Sequence, residues 1–115
     1  MGSDQGTVKE WLVAYRLKFS GRAVREIGEA YEWYEAQSEG LGAEFEAALE
    51  LQLRRLEQAP LLYAEILPGI RRTLLPRFPY GVFYVVRSDL AHILAVVHNS
   101  RNPKRWPGVL PLSPG

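Results

Sequence analysis

Two apolar runs near the end of the chain, Val82 to Val86 and Ile93 to Val97, constrain the fold more than any other feature. They flank a short polar break, Arg87-Ser88-Asp89. Runs of this length, rich in β-branched residues and divided by a turn, read as a hairpin of two strands. Neither run alternates cleanly between apolar and polar residues, so both faces of the hairpin need cover. The rest of a 115-residue chain must supply it, and that length allows one core and not two.

The segment before the hairpin offers two amphipathic helices. After Ser20, a plausible N-cap, Ala23, Ile27, Ala30, Tyr31 and Tyr34 recur at helical spacing with charged residues between them, which predicts a helix over about 22–38. Gly40-Leu41-Gly42 breaks the pattern. A second helical period then runs through Phe45, Ala48, Leu49, Leu53 and Leu56 and ends before Pro60. Two such helices around a short glycine-containing turn make an antiparallel pair with an apolar stripe to bury.

Val8 to Phe19 alternates at Val13, Tyr15, Leu17 and Phe19, with Arg16 and Lys18 on the other side, and predicts a half-exposed strand at a sheet edge. A further strand is expected over about 69–76, with Arg71 and Arg72 on opposite faces and Pro76 at its end. Phe78-Pro79-Tyr80-Gly81 then reads as a tight connection into the hairpin. The expected fold is α+β: a strand, two helices and a three-stranded antiparallel meander, in the order β-α-α-β-β-β. Residues 1–7 are expected to be leader, 8–106 a single domain, and 107–115 a tail rich in proline and glycine.

Composition narrows the chemistry. A formal net charge of +1 gives little long-range attraction for nucleic acid or membrane, so neither direct specific DNA binding nor membrane association is expected. The absence of cysteine excludes thiolate nucleophiles and cysteine-ligated zinc, and fits a reducing cytoplasm. With His92 and His98 the only histidines, neither a metal site nor a cofactor is expected. No apolar run approaches the roughly 18 residues that a membrane helix needs.

The element order, together with Gly69-Ile70-Arg71, Arg77-Phe78-Pro79-Tyr80, Tyr84 and His98-x-x-Arg101-x-Pro103-x-x-Trp106, resembles the RelE/ParE superfamily of toxins from bacterial toxin–antitoxin modules. The resemblance covers about residues 8–106, and its tail motif favours the ParE-like branch. It implies a sheet with the helix pair on one face and a cognate antitoxin as partner. ParE-like members are described as binding inhibitors of DNA gyrase, whereas RelE-like members cut messenger RNA in the ribosome.

A metal-independent ribonuclease needs groups that move protons and stabilise phosphorane charge. Candidates for that work are Arg71, Arg77, Tyr84 and His98, with Glu65 and Tyr80 nearby in sequence. No tyrosine follows Tyr84, so the late aromatic acid or base of many RelE-like nucleases is missing, and gyrase binding is the favoured activity. For partner binding the candidates are Arg71, Arg77, Tyr80, His98, Arg101 and Trp106. Each has a structural alternative: the arginines as braces for loops, His98 as a cap on the strand end, Tyr84 as core, and Trp106 as an anchor folded back on the sheet.

Overall fold

The structure is a computed structural model that describes residues 15–101 and 103–107. The elements are β1 (Arg16–Phe19), α1 (Gly21–Gln37), α2 (Leu41–Gln58), β2 (Glu65–Leu67), β3 (Ile70–Leu74), β4 (Tyr80–Arg87) and β5 (Leu90–His98). Short 3-10 turns occupy Pro60–Leu62 and Pro103–Arg105. The expected strand over Val8 to Phe19 is present at Arg16–Phe19, and its earlier part lies outside the described residues. So do the expected leader and all of the expected tail beyond Pro107.

The five strands form one sheet in the order β1-β5-β4-β3-β2. Its centre is the expected hairpin, with β4 and β5 antiparallel from Tyr80↔His98 to Arg87↔Leu90. The register shifts between Phe83↔Ala95 and Tyr84↔Ile93, which leaves Leu94 as an extra residue on β5. Val82 and Tyr84 face the helices while Phe83 faces away. β1 lies at an edge, as its basic alternate residues suggested, and runs parallel to β5.

The sheet has one strand more than expected. Glu65–Leu67 pairs with β3 through the two-residue turn Pro68-Gly69, with Gly69 at φ 77. Proline followed by a residue of positive φ is the requirement of a type II turn, so these two residues close a hairpin rather than interrupt a strand. β3 itself ends at Leu74, two residues before Pro76.

Ser20 joins sheet and helix. Its hydroxyl accepts from Ala23 N at 3.0 Å, capping α1, and donates to the Leu94 carbonyl at 2.8 Å, while its own N–H donates to the Ile93 carbonyl. One small residue therefore ends β1, starts α1 and holds both against β5. The helix pair turns at Gly40, where the Glu35 carboxylate accepts from Gly40 N at 2.8 Å and Gly42 N at 2.9 Å. These are N–H groups that a helix start leaves without intrahelical partners.

The main core lies between helices and sheet. Ala23, Ala30 and Tyr34 of α1 and Phe45, Ala48, Leu49 and Leu56 of α2 meet Val82, Tyr84, Ala91, Ile93 and Val96. One polar group enters it: Gln52 Nε2 donates to Thr73 Oγ1 at 2.6 Å and Tyr63 OH at 3.3 Å. The opposite face is also covered, by a smaller cluster in which Ile66, Ile70 and Trp106 pack on Phe83, Ala95 and Val97.

Gly42 shows how closely the helices approach. A Cβ there would sit 2.8 Å from the Tyr31 carbonyl oxygen and 2.9 Å from Glu35 Oε1. Gly42→Ala should therefore destabilise the fold by about 1–2 kcal/mol despite alanine's better helix propensity. Denaturant unfolding measures it, and an unchanged or raised midpoint would refute the close-packing explanation.

Candidate functional site

A concavity of about 770 Å³ lies between α1 and the end of β5 with the tail that follows. That volume is ordinary for a binding cleft. One wall is the outer face of α1, with Arg22, Arg25, Glu26, Glu29 and Trp33; the other carries His98, Ser100, Arg101 and Arg105. Tyr34 and Tyr80 lie at the deep side.

Tyr80 connects this cleft to the core. Its ring packs edge-on against Phe45 at 5.3 Å and against His98 at 5.1 Å, its partner across the β4–β5 ladder. Burial raises the Tyr80 phenol above the ordinary tyrosine value and nearby Tyr34 adds to this, while Arg101 pulls the other way. Both tyrosines therefore stay neutral donors at physiological pH. Burial raises Tyr34 as well.

His98 is held at the strand end. Its Nδ1 accepts from the Ser100 backbone N–H at 3.1 Å, with Ser100 Oγ 2.8 Å away. An accepting Nδ1 places the proton of the neutral ring on Nε2.

The charges of the cleft are unevenly paired. Arg22 bonds Glu26 at 2.9 Å and also donates to the Arg105 carbonyl, tying helix to tail. Arg25 reaches Glu29 only at 3.9 Å. Among the described residues the guanidinium groups of Arg101 and Arg105 have neither an ion-pair nor a hydrogen-bond partner. Trp33, on the α1 wall of the same cleft, is 58% exposed. Guanidinium groups free to fork onto carboxylates, in one cleft with an exposed aromatic, suit a protein partner. Among the described residues no group of three or more His, Asp or Glu side chains could hold a metal ion.

Of the residues singled out in sequence, the structure brings Tyr80, His98 and Arg101 together. The others stand elsewhere. Arg71 points to the turn before β2, donating to the carbonyls of Tyr63 at 2.6 Å and Leu61 at 3.3 Å, with Glu65 at 3.6 Å. Arg77 pairs with Glu44 of α2 at 2.9 Å and lies over the Phe78 ring. Trp106 is folded back on the far face of the sheet, 5.5 Å from the Phe83 ring, with the Arg72 guanidinium 5.3 Å from its own.

Tyr84 is fully buried and donates to the Pro60 carbonyl. It stands beside Arg71 in the ladder, and burial holds its phenol far above the ordinary range despite that guanidinium. A group so placed cannot exchange protons with a bound substrate.

Arg22, Arg25, Trp33 and Arg105 belong to the cleft but had no distinguishing signal in sequence. On α1 they occupy the polar or mixed positions of an amphipathic helix, which usually mean a solvated face. Only the packing of α1 against the end of β5 makes them neighbours of His98.

Residues 17–103 match the family described as ParE toxin of type II toxin-antitoxin system, parDE. No curated protein matches the chain in sequence. In fold it is similar to a chain of the chromosomal ParDE toxin–antitoxin system from P. aeruginosa, with a TM-score of 0.66 and 20% identity over 74% of this chain and 96% of that one. A chain of the intact E. coli RelBE toxin–antitoxin complex gives 0.59 at 20% identity, covering 76% and 100%. The isolated E. coli RelE toxin gives 0.58 at 20% identity, covering 77% and 88%. Among the described residues no helix is long and apolar enough to cross a membrane.

The buried phenol of Tyr84 generates a pH prediction. The folded chain keeps a proton that the unfolded chain releases once pH passes the ordinary tyrosine value of about 10. The associated stability is complete below about pH 10 and is lost as pH rises above it toward the folded value. Tyr84→Phe, which leaves the Pro60 carbonyl without its donor, should cost about 1–3 kcal/mol at pH 7. It should also make the decline above pH 10 shallower by about 1.4 kcal/mol per pH unit. Unfolding curves from pH 7 to 12 measure both effects; an unchanged alkaline slope would refute the assignment.

Proposed function

The chain belongs to the ParE toxin family of type II toxin–antitoxin systems, and we propose that it acts by binding DNA gyrase and is silenced by a cognate antitoxin that covers the same cleft. The observation that carries this reading is the cleft itself. Arg101 and Arg105, which have no ion-pair partner among the described residues, and the exposed ring of Trp33 are the groups a protein contact uses.

The placement of the nuclease candidates supports binding over cleavage. General acid–base work requires the reacting groups within hydrogen-bond reach of one substrate. Here Tyr84 is sealed in the core, Arg71 is engaged with the turn at Leu61–Tyr63, and Arg77 is paired with α2. Only His98 lies in the cleft, and its Nδ1 already accepts from Ser100. Gyrase as target implies a cytoplasmic site of action.

A second reading draws on the meeting of His98, Tyr80 and Arg101 in that cleft. Imidazole, phenol and guanidinium are a workable set for ribosome-dependent cleavage of messenger RNA, as in RelE-like toxins. Primer extension on translated messages separates the readings: codon-phased cuts that His98→Ala abolishes would establish the nuclease and overturn gyrase binding.

Expressed alone in bacteria, the chain should arrest growth, and the purified protein should inhibit supercoiling by purified gyrase. Arg101→Glu should weaken that inhibition about tenfold or more, as loss of a charged anchor does. Because Arg101 is exposed and unpaired among the described residues, the same variant should change unfolding free energy by less than about 0.5 kcal/mol. Normal supercoiling at saturating wild-type protein would refute the proposal.

A further inference from the structure

Arg72 lies on the sheet face away from the helices, without a carboxylate partner among the described residues. Its guanidinium stands 5.3 Å from the centroid of the Trp106 ring and 6.0 Å from that of Phe83, its neighbour across the β3–β4 ladder. Those two rings are themselves 5.5 Å apart. A cation shared by two touching rings clasps one to the other.

The path of the Arg72 side chain is built into β4. A Cβ at Gly81 would sit 3.0 Å from Arg72 Cδ, 3.3 Å from its Cγ and 3.5 Å from Asn99 Oδ1. Glycine weakens a strand interior, and its presence there marks a close approach by another group. Here that group is the arginine stem, which starts opposite Phe83 and passes Gly81 toward the end of the sheet where β5 runs into the tail.

The tail is fastened from both sides of the sheet. Trp106 follows directly on Arg105, whose carbonyl accepts from Arg22 of α1. At the strand end, Asn99 N donates to the Pro79 carbonyl at 2.7 Å and Arg101 N to the His98 carbonyl at 2.9 Å. Arg101 and Arg105 are thereby held on the wall of the cleft, which neither Arg72 nor Trp106 lines.

We propose that Arg72 is a positioning residue for the cleft on the other side of the sheet: by clasping Trp106 along the path that Gly81 leaves open, it orders the tail segment that carries Arg101 and Arg105. The inference rests on the reading of the cleft as a protein-binding surface and adds a residue that acts on it from outside. A terminal segment held by a few contacts opens readily. A partner that needs the closed wall then binds in proportion to the closed fraction.

Limited trypsin digestion of the whole chain, with fragments identified by mass, measures that opening. Cleavage after Arg101 and Arg105 reports the tail, and cleavage after Arg54 within α2 reports unfolding of the domain; each rate follows the open population when reclosing is fast. Arg72→Met keeps the stem and removes the charge. It should speed tail cleavage roughly two- to fivefold, the equivalent of one cation–π contact, and leave α2 cleavage unchanged. Arg72→Lys, which keeps the charge without the plane, should recover part of the protection. Gly81→Ala should speed tail cleavage in the wild-type background and cause no further rise on top of Arg72→Ala. On immobilised gyrase, Arg72→Met should slow association about twofold with dissociation unchanged, because the wall closes before the partner seats.

Tail cleavage at the wild-type rate in Arg72→Met, an equal rise in α2 cleavage, or a further rise when Gly81→Ala is added to Arg72→Ala would overturn the clasp. A loosened tail with unchanged association would overturn the positioning role, and faster dissociation would overturn it by making Arg72 a direct contact. Failure of the wild-type chain to bind gyrase would refute the target reading, and the digestion would then decide by itself whether Arg72 orders the wall.

Discussion

The contact on which the rest of the molecule depends is the cluster of four rings formed by Tyr34, Phe45, Phe78 and Tyr80. Each ring comes from a different place: α1, α2, the β3–β4 connection and β4. Tyr34 stacks on Phe45 at 5.5 Å and meets Phe78 edge-on at 4.9 Å, while Phe45 meets Phe78 at 5.6 Å and Tyr80 at 5.3 Å. Pairs of this kind add about 0.5–1.5 kcal/mol each beyond the area they bury. Together they hold the helix pair against the sheet and fix the ring of Tyr80, against which His98 rests. The floor of the cleft is thereby an extension of the core.

That cluster also explains the backbone at Arg77, which takes φ 70, a left-handed conformation costing a non-glycine residue roughly 1–2 kcal/mol. The tight turn bounded by Pro76 and Pro79 directs Phe78 inward, where it is 7% exposed. Arg77 then lies over the Phe78 ring and reaches Glu44, contacts that partly offset the strain. In sequence Arg77 stood in a motif and read as part of a working surface. Its position in space suits the geometry of the turn, because the residue that must reverse the chain between two prolines cannot also reach the cleft.

What sequence made legible was local. The β4–β5 hairpin shows in two apolar runs around a polar break, α1 in its period and its Ser20 cap, and the edge position of β1 in Arg16 and Lys18. Trp106 was legible as an anchor because an indole after a polar segment needs apolar cover. Three features were hidden, the last two because they depend on residues distant in sequence. β2 has only three residues and carries no periodic signal. The parallel pairing of β1 with β5 joins residues more than seventy positions apart. The gathering of Arg22, Arg25 and Trp33 with His98 and Arg101 exists only once α1 crosses the end of β5. Tyr84 illustrates the converse: its type suggested chemistry, and its burial assigns it to packing.

The two faces of the sheet are covered unequally. The helix-covered face holds the large core, whereas the other is sealed by a thin layer whose outermost member is Trp106, flanked by Arg72. Anchoring Trp106 there draws the tail around the end of β5, and the bond from Arg22 to the Arg105 carbonyl fastens it to α1 from the other side. The tail is thus fixed at two points, and Arg101 and Arg105 stand on a wall that folding has already ordered. A partner meeting them forgoes much of the ordering penalty that flexible cations would impose.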